Sequence, residues 1–520
     1  MLASIVAASK SRLLRTLALI LYGCMAPVRL FTTNNPLLDA DIWWHWRVGQ
    51  WILTSHHFPH QGLFSQYGET HPWRAYSWGF EVMLAKVFAH FGLLGFPIFF
   101  MVVEVILALV LFRILRDLSG TFWGALLLAA ATLMAIGPNL VGRPVMFSIL
   151  LFTVELGILF QACQTGRWQL LYWLPPLFLL WANLHIQFVY GLFPLGLFVV
   201  LETMDSWVQR FHLPGWLRRL RPASLTSLWI VLGLSLVATL ANPYMAGLYR
   251  VVWIYAGTKT AFTYISEMHA NSFRQSAHYV ELLLAVGAFF FLGRCRAADR
   301  FKLLLLVSGS LIAFRSARDA WFIAIPAALV IADSWRTRRQ ECPEHEGMAE
   351  RKTGGQKSEV PAEHIGALQL TVILLGVAGI LTLHGLDSGF SRAAAMKAIE
   401  NVYPMRAVRF VRQRNPPGPL YNSFNEGGFL IGNLPEYPVS IDGRADLYPD
   451  EFLAHYMSVA GAGPDWQQDP TLERANLVIL EPYLPLAREL EHDSRFQVVY
   501  SDEQATVFIR NKQQAISNKQ

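Results

Sequence analysis

The sequence predicts an α-helical polytopic membrane protein that ends in a small α/β domain. Three observations carry that expectation. Only 15% of the 520 residues are charged and 53% are hydrophobic, where a soluble protein carries about 25% charged residues. Windows with almost no charge, at 92–112, 121–136, 144–162, 225–241 and 364–383, approach the ~20 residues that a spanning helix needs. Beyond residue 384 the chain changes to short strand-like runs alternating with helical pieces, the pattern of an α/β domain. A large soluble α/β enzyme with a greasy core would not hold apolar runs of this length.

Taken in order, the elements begin with Lys10, Arg12 and Arg15 ahead of "LALILYGC", which read as a signal anchor. Leu-Tyr-Gly-Cys24 resembles a lipoprotein cleavage site, but Tyr22 is bulky for one and further spans follow at once. Spans are expected at 13–32, 93–112, 121–137, 144–163, 168–183, 187–203, 224–241, 279–293, 302–316, 320–334 and 364–384, about eleven helices. The ninth and tenth are short enough to be one re-entrant pair. With the N-terminus inside, the inner loops collect Arg113 and Arg116, Arg167, the group Arg210 to Arg221, the group Arg294 to Lys302, and Arg336 to Arg339. The short outer loops hold little beyond Arg143, and this alternation satisfies the positive-inside rule.

The expected organisation is therefore a membrane domain over 1–384, with a first outer loop at 34–91 and a charged cytoplasmic linker at 335–362. A soluble domain at 385–520 then lies outside. In it, "GPLYNSF", "GGFLIGNL", "YPVSID", "ANLVILE", "FQVVYS" and "ATVFIR" read as strands, and 391–413, 450–460 and 484–492 as helices. The four cysteines have no metal-ligand spacing, and none falls in the last quarter of the chain, so that domain folds without disulfides. The formal charge of +6 is accounted for by membrane topology, with no nucleic-acid partner.

Sidedness gathers the chemistry on the outer face. In "LLDADIWWHWRVGQWI", Asp39 and Asp41 are two apart and share a face if extended. A carboxylate there could take a proton from an attacking hydroxyl. Trp43, Trp44, Trp46 and Trp51 suit the interfacial belt, and their rings also suit stacking on sugars or prenyl chains. The same letters equally describe a helix with capping acids. His56, His57 and His60, near His45 and His71, match no zinc signature. Arg143 in "VGRPVMF" and Arg315 and Arg318 in "FRSARDAW" sit where spans meet the surface. Three residues apart, the last two could share a helical face and clamp a phosphate, or pair with Asp319, or snorkel. His185 in "WANLHIQF" and Glu267 with His269 in "ISEMHA" lie at the same level. In "NSFNEGGFLIGNLPEYPVSIDGRADLYPDEF", Gly427 and Gly428 permit a positive φ or a close approach. Asp442, Arg444 and Asp446 alternate there, as for a ligand or an internal ion pair.

The stretch "DADIWWHWRVGQWI", followed by "FPHQGLFS" and "WRAYSWGFEVML", resembles the first outer loop of bacterial multi-pass proteins classed with the GT-C glycosyltransferases. That superfamily includes protein mannosyltransferases, oligosaccharyltransferases and the aminoarabinose transferase of lipid A. "GRPVMFS", "WANLHIQFVYG", "ANPYMAGLY" and "NSFNEGGFLIGNLPEYPVSIDGRADLY" extend the resemblance over nearly the whole chain.

The resemblance implies an inverting transferase in the bacterial inner membrane, with a cytoplasmic N-terminus and a periplasmic terminal domain. It would pass a sugar from a polyprenyl-phosphate donor to a glycan, lipid or protein acceptor. Asp41 or Asp39 would be the base, and Arg315, Arg318 or Arg143 a phosphate contact. Trp44, His45, His185, Glu267, Asp442 and Arg444 are then candidates for substrate binding. The resemblance leaves room for a divalent metal, although no motif supplies its ligands. The competing reading is a non-catalytic membrane protein or transporter whose outer domain binds a partner; a transporter would show polar residues or broken helices at mid-membrane.

Overall fold

A computed structural model describes residues 2–31, 33–208, 224–295, 299–341, 366–387 and 390–511. Most of the expected linker, from residue 342 to 362, and the basic residues Arg210, Arg218, Arg219, Arg221 and Arg296 lie outside the described residues.

Up to residue 387 the described residues are built from α-helices and the loops between them. The helices are α1 (Leu2–Cys24), α2 (Ala40–Ser55), α3 (Trp78–Phe91), α4 (Gly95–Ser119), α5 (Phe122–Ile136), α6 (Val145–Thr165) and α7 (Leu174–Leu184). They continue as α8 (Phe188–Val208), α9 (Leu225–Thr239), α10 (Gly247–Gly257), α11 (Thr260–Tyr264), α12 (Ser276–Gly293), α13 (Arg300–Arg315), α14 (Trp321–Glu341) and α15 (Ala367–Asp387). A helix stands at every expected span. Among the described residues, seven apolar stretches are long enough to cross a membrane, one of them joining α3 and α4. The others expected to span, α7, α9, α13 and α14, are shorter or carry charge at one end. Lys302 is not a loose basic anchor: its Nζ lies 2.6 Å from Asp333 and 2.8 Å from Asp299, pinning α13 to α14.

The terminal region adds α16 (Arg392–Val402), α17 (Met405–Arg414), α18 (Gly427–Asn433), α19 (Asp450–Ala460), α20 (Pro470–Arg474) and α21 (Pro485–His492). Its strands are β1 (Leu420–Asn422), β2 (Leu477–Leu480), β3 (Phe496–Ser501) and β4 (Thr506–Arg510), in the order β1-β2-β4-β3. The β1 and β2 pair is parallel, and β4 runs antiparallel to both β2 and β3. Two expected strands are absent. "GGFLIGNL" is helix α18, and "YPVSID" is an irregular segment whose Val439 makes a single bridge to Ser65.

The reason is tertiary. Gly428 and Gly432, one helical turn apart, form the face of α18 that lies on α2. A Cβ at Gly428 would run into the carbonyl of Ala40, and one at Gly432 would lie 2.8 Å from Trp43 Cβ. The glycines serve a close helix crossing, not a positive φ or a ligand. Around this contact the loop over residues 34–91 is sewn to the terminal region. Gln66 N–H donates to the Val439 carbonyl, Val439 N–H to that of Phe64, and Arg47 to that of Gly432.

The tryptophans of α2 follow the same logic. Trp43 and Trp44 are buried in protein, not set in an interfacial belt. Trp43 packs edge-on against Phe429 of α18 and Phe96 of α4, with ring centroids 5.5 and 6.2 Å away.

Adding one methyl group to this crossing has a calculable consequence. Gly428→Ala should destabilise the protein by about 1–3 kcal/mol, the usual cost of overpacking. Gly379→Ala on α15, where the added Cβ meets nothing within 4 Å, should not. Thermal unfolding in detergent measures both, and equal melting temperatures would refute the crossing.

Candidate active site

Asp39, itself extended (φ −94°, ψ 120°), follows a short 3₁₀ turn at Pro36–Leu38 and caps α2, its carboxylate accepting the Asp41 N–H at 3.0 Å. Capping and charge are combined in one residue, since an acid here also suits the positive end of the helix dipole. Asp41 follows in the first turn. Its Oδ1 accepts the indole N–H of Trp44 at 3.0 Å.

Both carboxylates reach the same cation. Arg143, in the turn before α6, places Nε 2.6 Å from Asp39 and Nη1 3.3 Å from Asp41. Nη1 also donates to Glu267 at 2.6 Å. Three segments distant in sequence therefore meet at one guanidinium. Burial alone would depress the Arg143 pKa, but the three carboxylates outweigh it and hold the pKa above its ordinary value. Burial pushes Asp41 up to about 6, with Arg143 pulling it down and Asp39 pushing it up. Glu267 stays below the usual carboxylate range because Arg143 and Arg318 offset the effect of its burial.

These groups line a cavity of about 400 Å³ between the membrane helices and the terminal region. Asp41, Trp44, His45, Arg143, His185, Glu267 and Arg318 all border it, which brings together seven of the residues singled out from sequence. His45 stacks on Trp44, with ring centroids 3.5 Å apart, and contacts Glu81 at 3.1 Å through Nδ1. His185 Nδ1 is 2.8 Å from Ser148 Oγ. Gly443 is the close neighbour of Asp41, since a Cβ there would lie 2.5 Å from its Oδ1.

The arginine pair is arranged differently from the expected helical face. Helix α13 ends at Arg315, Ser316 is extended, and Arg318 sits in a short 3₁₀ turn. Arg318 faces the main cavity, and its guanidinium makes no ion pair or hydrogen bond among the described residues. Arg315 lies over the Phe262 ring at 5.1 Å. Both border an adjoining cavity of about 330 Å³, lined largely by apolar side chains such as Val189, Val252 and Phe262. Tyr76, His185, Tyr255 and Arg318 stand between the two spaces.

Asp442 and Arg444 do not border the cavity. They form a fully buried ion pair, Arg444 donating from Nε at 2.8 Å and from Nη2 at 2.7 Å. Arg444 also donates to the Leu63 carbonyl and lies over the Trp73 ring, while the Tyr448 hydroxyl donates to Asp442. This pair fixes the loop to the terminal region. His269 bonds the Thr263 carbonyl away from the cavity.

Sequence reasoning passed over Tyr76 and Tyr255. Their hydroxyls are 3.0 Å apart, and Tyr255 donates on to Asp446 at 3.3 Å. Burial, only partly offset by Arg444, pushes Asp446 up to about 7. Tyr76 lies within "WRAYSWGFEVML", but no charge or spacing there singles out its hydroxyl, and nothing around Tyr255 marks that residue.

For a divalent metal, the focus of Asp39, Asp41 and Glu267 is the natural place to look, since carboxylate oxygens are its preferred donors. That focus is filled by the Arg143 guanidinium. Among the described residues no three His, Cys, Asp or Glu side chains converge on a metal position. The residues present do not fit a resident metal.

No family model matches the chain, and no curated protein matches its sequence. Solved structures do match. The archaeal oligosaccharyltransferase AglB from Archaeoglobus fulgidus, in complex with an inhibitory peptide and a dolichol-phosphate, superposes with a TM-score of 0.55 at 11% identity. The alignment covers 96% of this chain and 74% of that one. The same oligosaccharyltransferase tethered to an acceptor peptide gives 0.52 at 10% identity, with the same coverage. ArnT from Cupriavidus metallidurans bound to undecaprenyl phosphate gives 0.44 at 15% identity, covering 98% of both chains. The protein is structurally similar to GT-C glycosyltransferases, and at these identities the similarity is one of fold.

The carboxylate cluster makes a prediction about stability. Asp41 has its pKa raised, so its contribution to stability is present below about pH 4 and is lost as pH rises through about 6. Removing the cation by Arg143→Ala takes away the countercharge that lowers the pKa of Asp41 and of Glu267. The variant should lose about 1–3 kcal/mol at pH 8, less than the cost of unpairing fully buried charges because the cluster is partly open to solvent. It should recover much of this at pH 5. Equal losses at both pH values, measured by thermal unfolding, would contradict the pairing.

Proposed function

We propose that the protein is an inverting membrane glycosyltransferase that uses a polyprenyl-phosphate sugar, with Asp41 as general base. The observation that carries this reading is that Asp41, Arg143 and Arg318 border one cavity, and Arg318 also borders the adjoining apolar one. An amphiphilic donor needs that combination: a cation for its phosphate, an apolar space for the start of its chain, and a polar chamber for its sugar. Support comes from the fold shared with AglB, which was solved with a dolichol-phosphate.

In the proposed reaction an acceptor hydroxyl attacks the anomeric carbon from the face opposite the phosphate. The new C–O bond forms as the bond from carbon to phosphate oxygen breaks. Asp41 takes the hydroxyl proton, and the polyprenyl phosphate leaves carrying the electron pair and one more negative charge. Arg318, with no carboxylate at ion-pair distance among the described residues, is placed to meet that developing charge by a charge-assisted hydrogen bond. Arg315 would hold the phosphate from the apolar side. Trp44 fixes the Asp41 carboxylate through its indole N–H, and its ring borders the sugar chamber. We place the chain across the membrane in eleven crossings, with the cavity and terminal region on the outer, periplasmic side, in accord with the distribution of basic residues.

Asp41→Asn keeps the shape of the side chain and loses the base, so turnover should fall about a hundred- to ten-thousandfold with the melting temperature retained. The wild-type rate should fall on the acid side of about pH 6, where Asp41 takes a proton. Release of polyprenyl phosphate from a lipid-linked sugar, followed in proteoliposomes containing a membrane lipid extract as acceptor source, is the readout. Full turnover in both Asp41→Asn and Asp39→Asn would sink the assignment of the base.

Arg318→Ala should weaken binding of undecaprenyl phosphate about ten- to a hundredfold, the worth of a hydrogen bond to a charged group. Unchanged binding by this variant and by Arg315→Ala would move the phosphate site elsewhere.

A further inference from the structure

A second polar cavity, of about 500 Å³, lies behind the Arg143–Asp39 pair, between it and the terminal region. It adjoins the main cavity, and Ala40, Arg143, Asn425 and Glu481 border both. Its size falls within the range of small-molecule sites, roughly 300–1,000 Å³. Four carboxylates border it: Asp39, Glu426, Glu481 and Glu503. Among the described residues the lining holds one cation, Arg143, already committed to Asp39, Asp41 and Glu267.

Two of these acids are left wanting a partner. Glu426 is 4% exposed and Glu481 7%, and the Oε2 atom of each has no hydrogen-bond partner among the described residues. Buried carboxylate oxygens in native structures are nearly always satisfied, and an unsatisfied one needs an explanation. The other Glu481 oxygen accepts from Asn425 at 3.3 Å and from the Tyr483 hydroxyl at 3.1 Å, so the side chain is held at the cavity wall. Burial, and then the neighbouring Glu481, raises the pKa of Glu426, as expected where a countercharge is missing. The rest of the lining, Asn34, Asn35, Asn425, Tyr483 and Gln504, offers hydrogen bonds to hydroxyl groups.

We propose that this cavity binds a hydroxyl-bearing primary amine, such as an amino sugar, whose ammonium group sits between Glu426 and Glu481. Ammonium donates three hydrogen bonds and brings the missing positive charge. An anionic headgroup would face four acids and one neutralised arginine. If the transfer reaction holds, the ligand is the acceptor, entering on the side of the carboxylate cluster away from the apolar cavity. That last step rests on the proposed function, and the binding itself does not.

The test is a binding series on the full-length protein in nanodiscs, read by saturation-transfer NMR titration, so that it needs no turnover. Methyl glucosaminide should bind several-fold tighter than methyl glucoside and at least tenfold tighter than methyl glucuronide. Glu426→Gln with Glu481→Gln should remove the preference for the amine while a thermal shift with undecaprenyl phosphate persists. Glu503→Lys changes only an exposed rim residue and serves if the double variant does not fold; it should weaken the glucosaminide several-fold. A glucuronide that binds as well as the glucosaminide, or a preference untouched by the folded variants, overturns the proposal. A wild-type protein that shows no amine preference leaves the Asp41→Asn result unaffected, so the two readings fail separately.

Discussion

The guanidinium of Arg143 is the constraint on which the site depends. It draws Asp39 and Asp41 from the start of α2, and Glu267 from the turn after α11, onto one point. Three acids brought this close and half-buried would repel one another strongly at any effective dielectric. The single arginine turns that repulsion into a fixed geometry. It also anchors the loop over residues 34–91 to the membrane helices, because its own turn leads directly into α6. Local structure, packing and electrostatics are therefore settled by the same contact.

A second layer holds the first in place from the terminal region. Gly428 and Gly432 let α18 lie on α2, and Gly443 leaves room beside the Asp41 carboxylate. The Asp442–Arg444 pair then locks the following loop through Leu63, Trp73 and Tyr448. A buried ion pair adds little net stability over an apolar equivalent, so its value here is positional. It fixes where Gly443 and Ala445 stand on the cavity wall. The terminal region thus builds one side of the site.

Much of this was legible in the sequence, and the losses have physical causes. Helices at every expected span follow from long apolar runs, whose signal does not depend on distant contacts. Asp39, Asp41, Arg143, Glu267 and Arg318 stood out because charges near a membrane boundary are costly and need a reason. What could not be read was who meets whom. "GGFLIGNL" has strand-like residues, and only the approach of α2 makes it helical. Trp43 and Trp44 look interfacial until α4 and α18 cover them. Arg315 and Arg318 share helical spacing, but the helix ends between them. Tyr76 and Tyr255 are ordinary aromatic letters, joined to Asp446 only by the fold.

One tension in the site remains to be resolved physically. A base that is ion-paired should be a weaker base, yet Asp41 has its pKa raised to about 6. The distances account for this. Arg143 is 2.6 Å from both Asp39 and Glu267 but 3.3 Å from Asp41, so its charge is spent mainly on the other two. Asp41 receives a weaker share of the cation and the full effect of burial and of Asp39. It therefore remains ionised near neutral pH while holding a proton more readily than an exposed aspartate, the balance a general base needs when its pKa lies close to the working pH. Asp39 and Glu267 act as ballast for the arginine, and their carboxylates leave Asp41 as the acid in the cluster least committed to it.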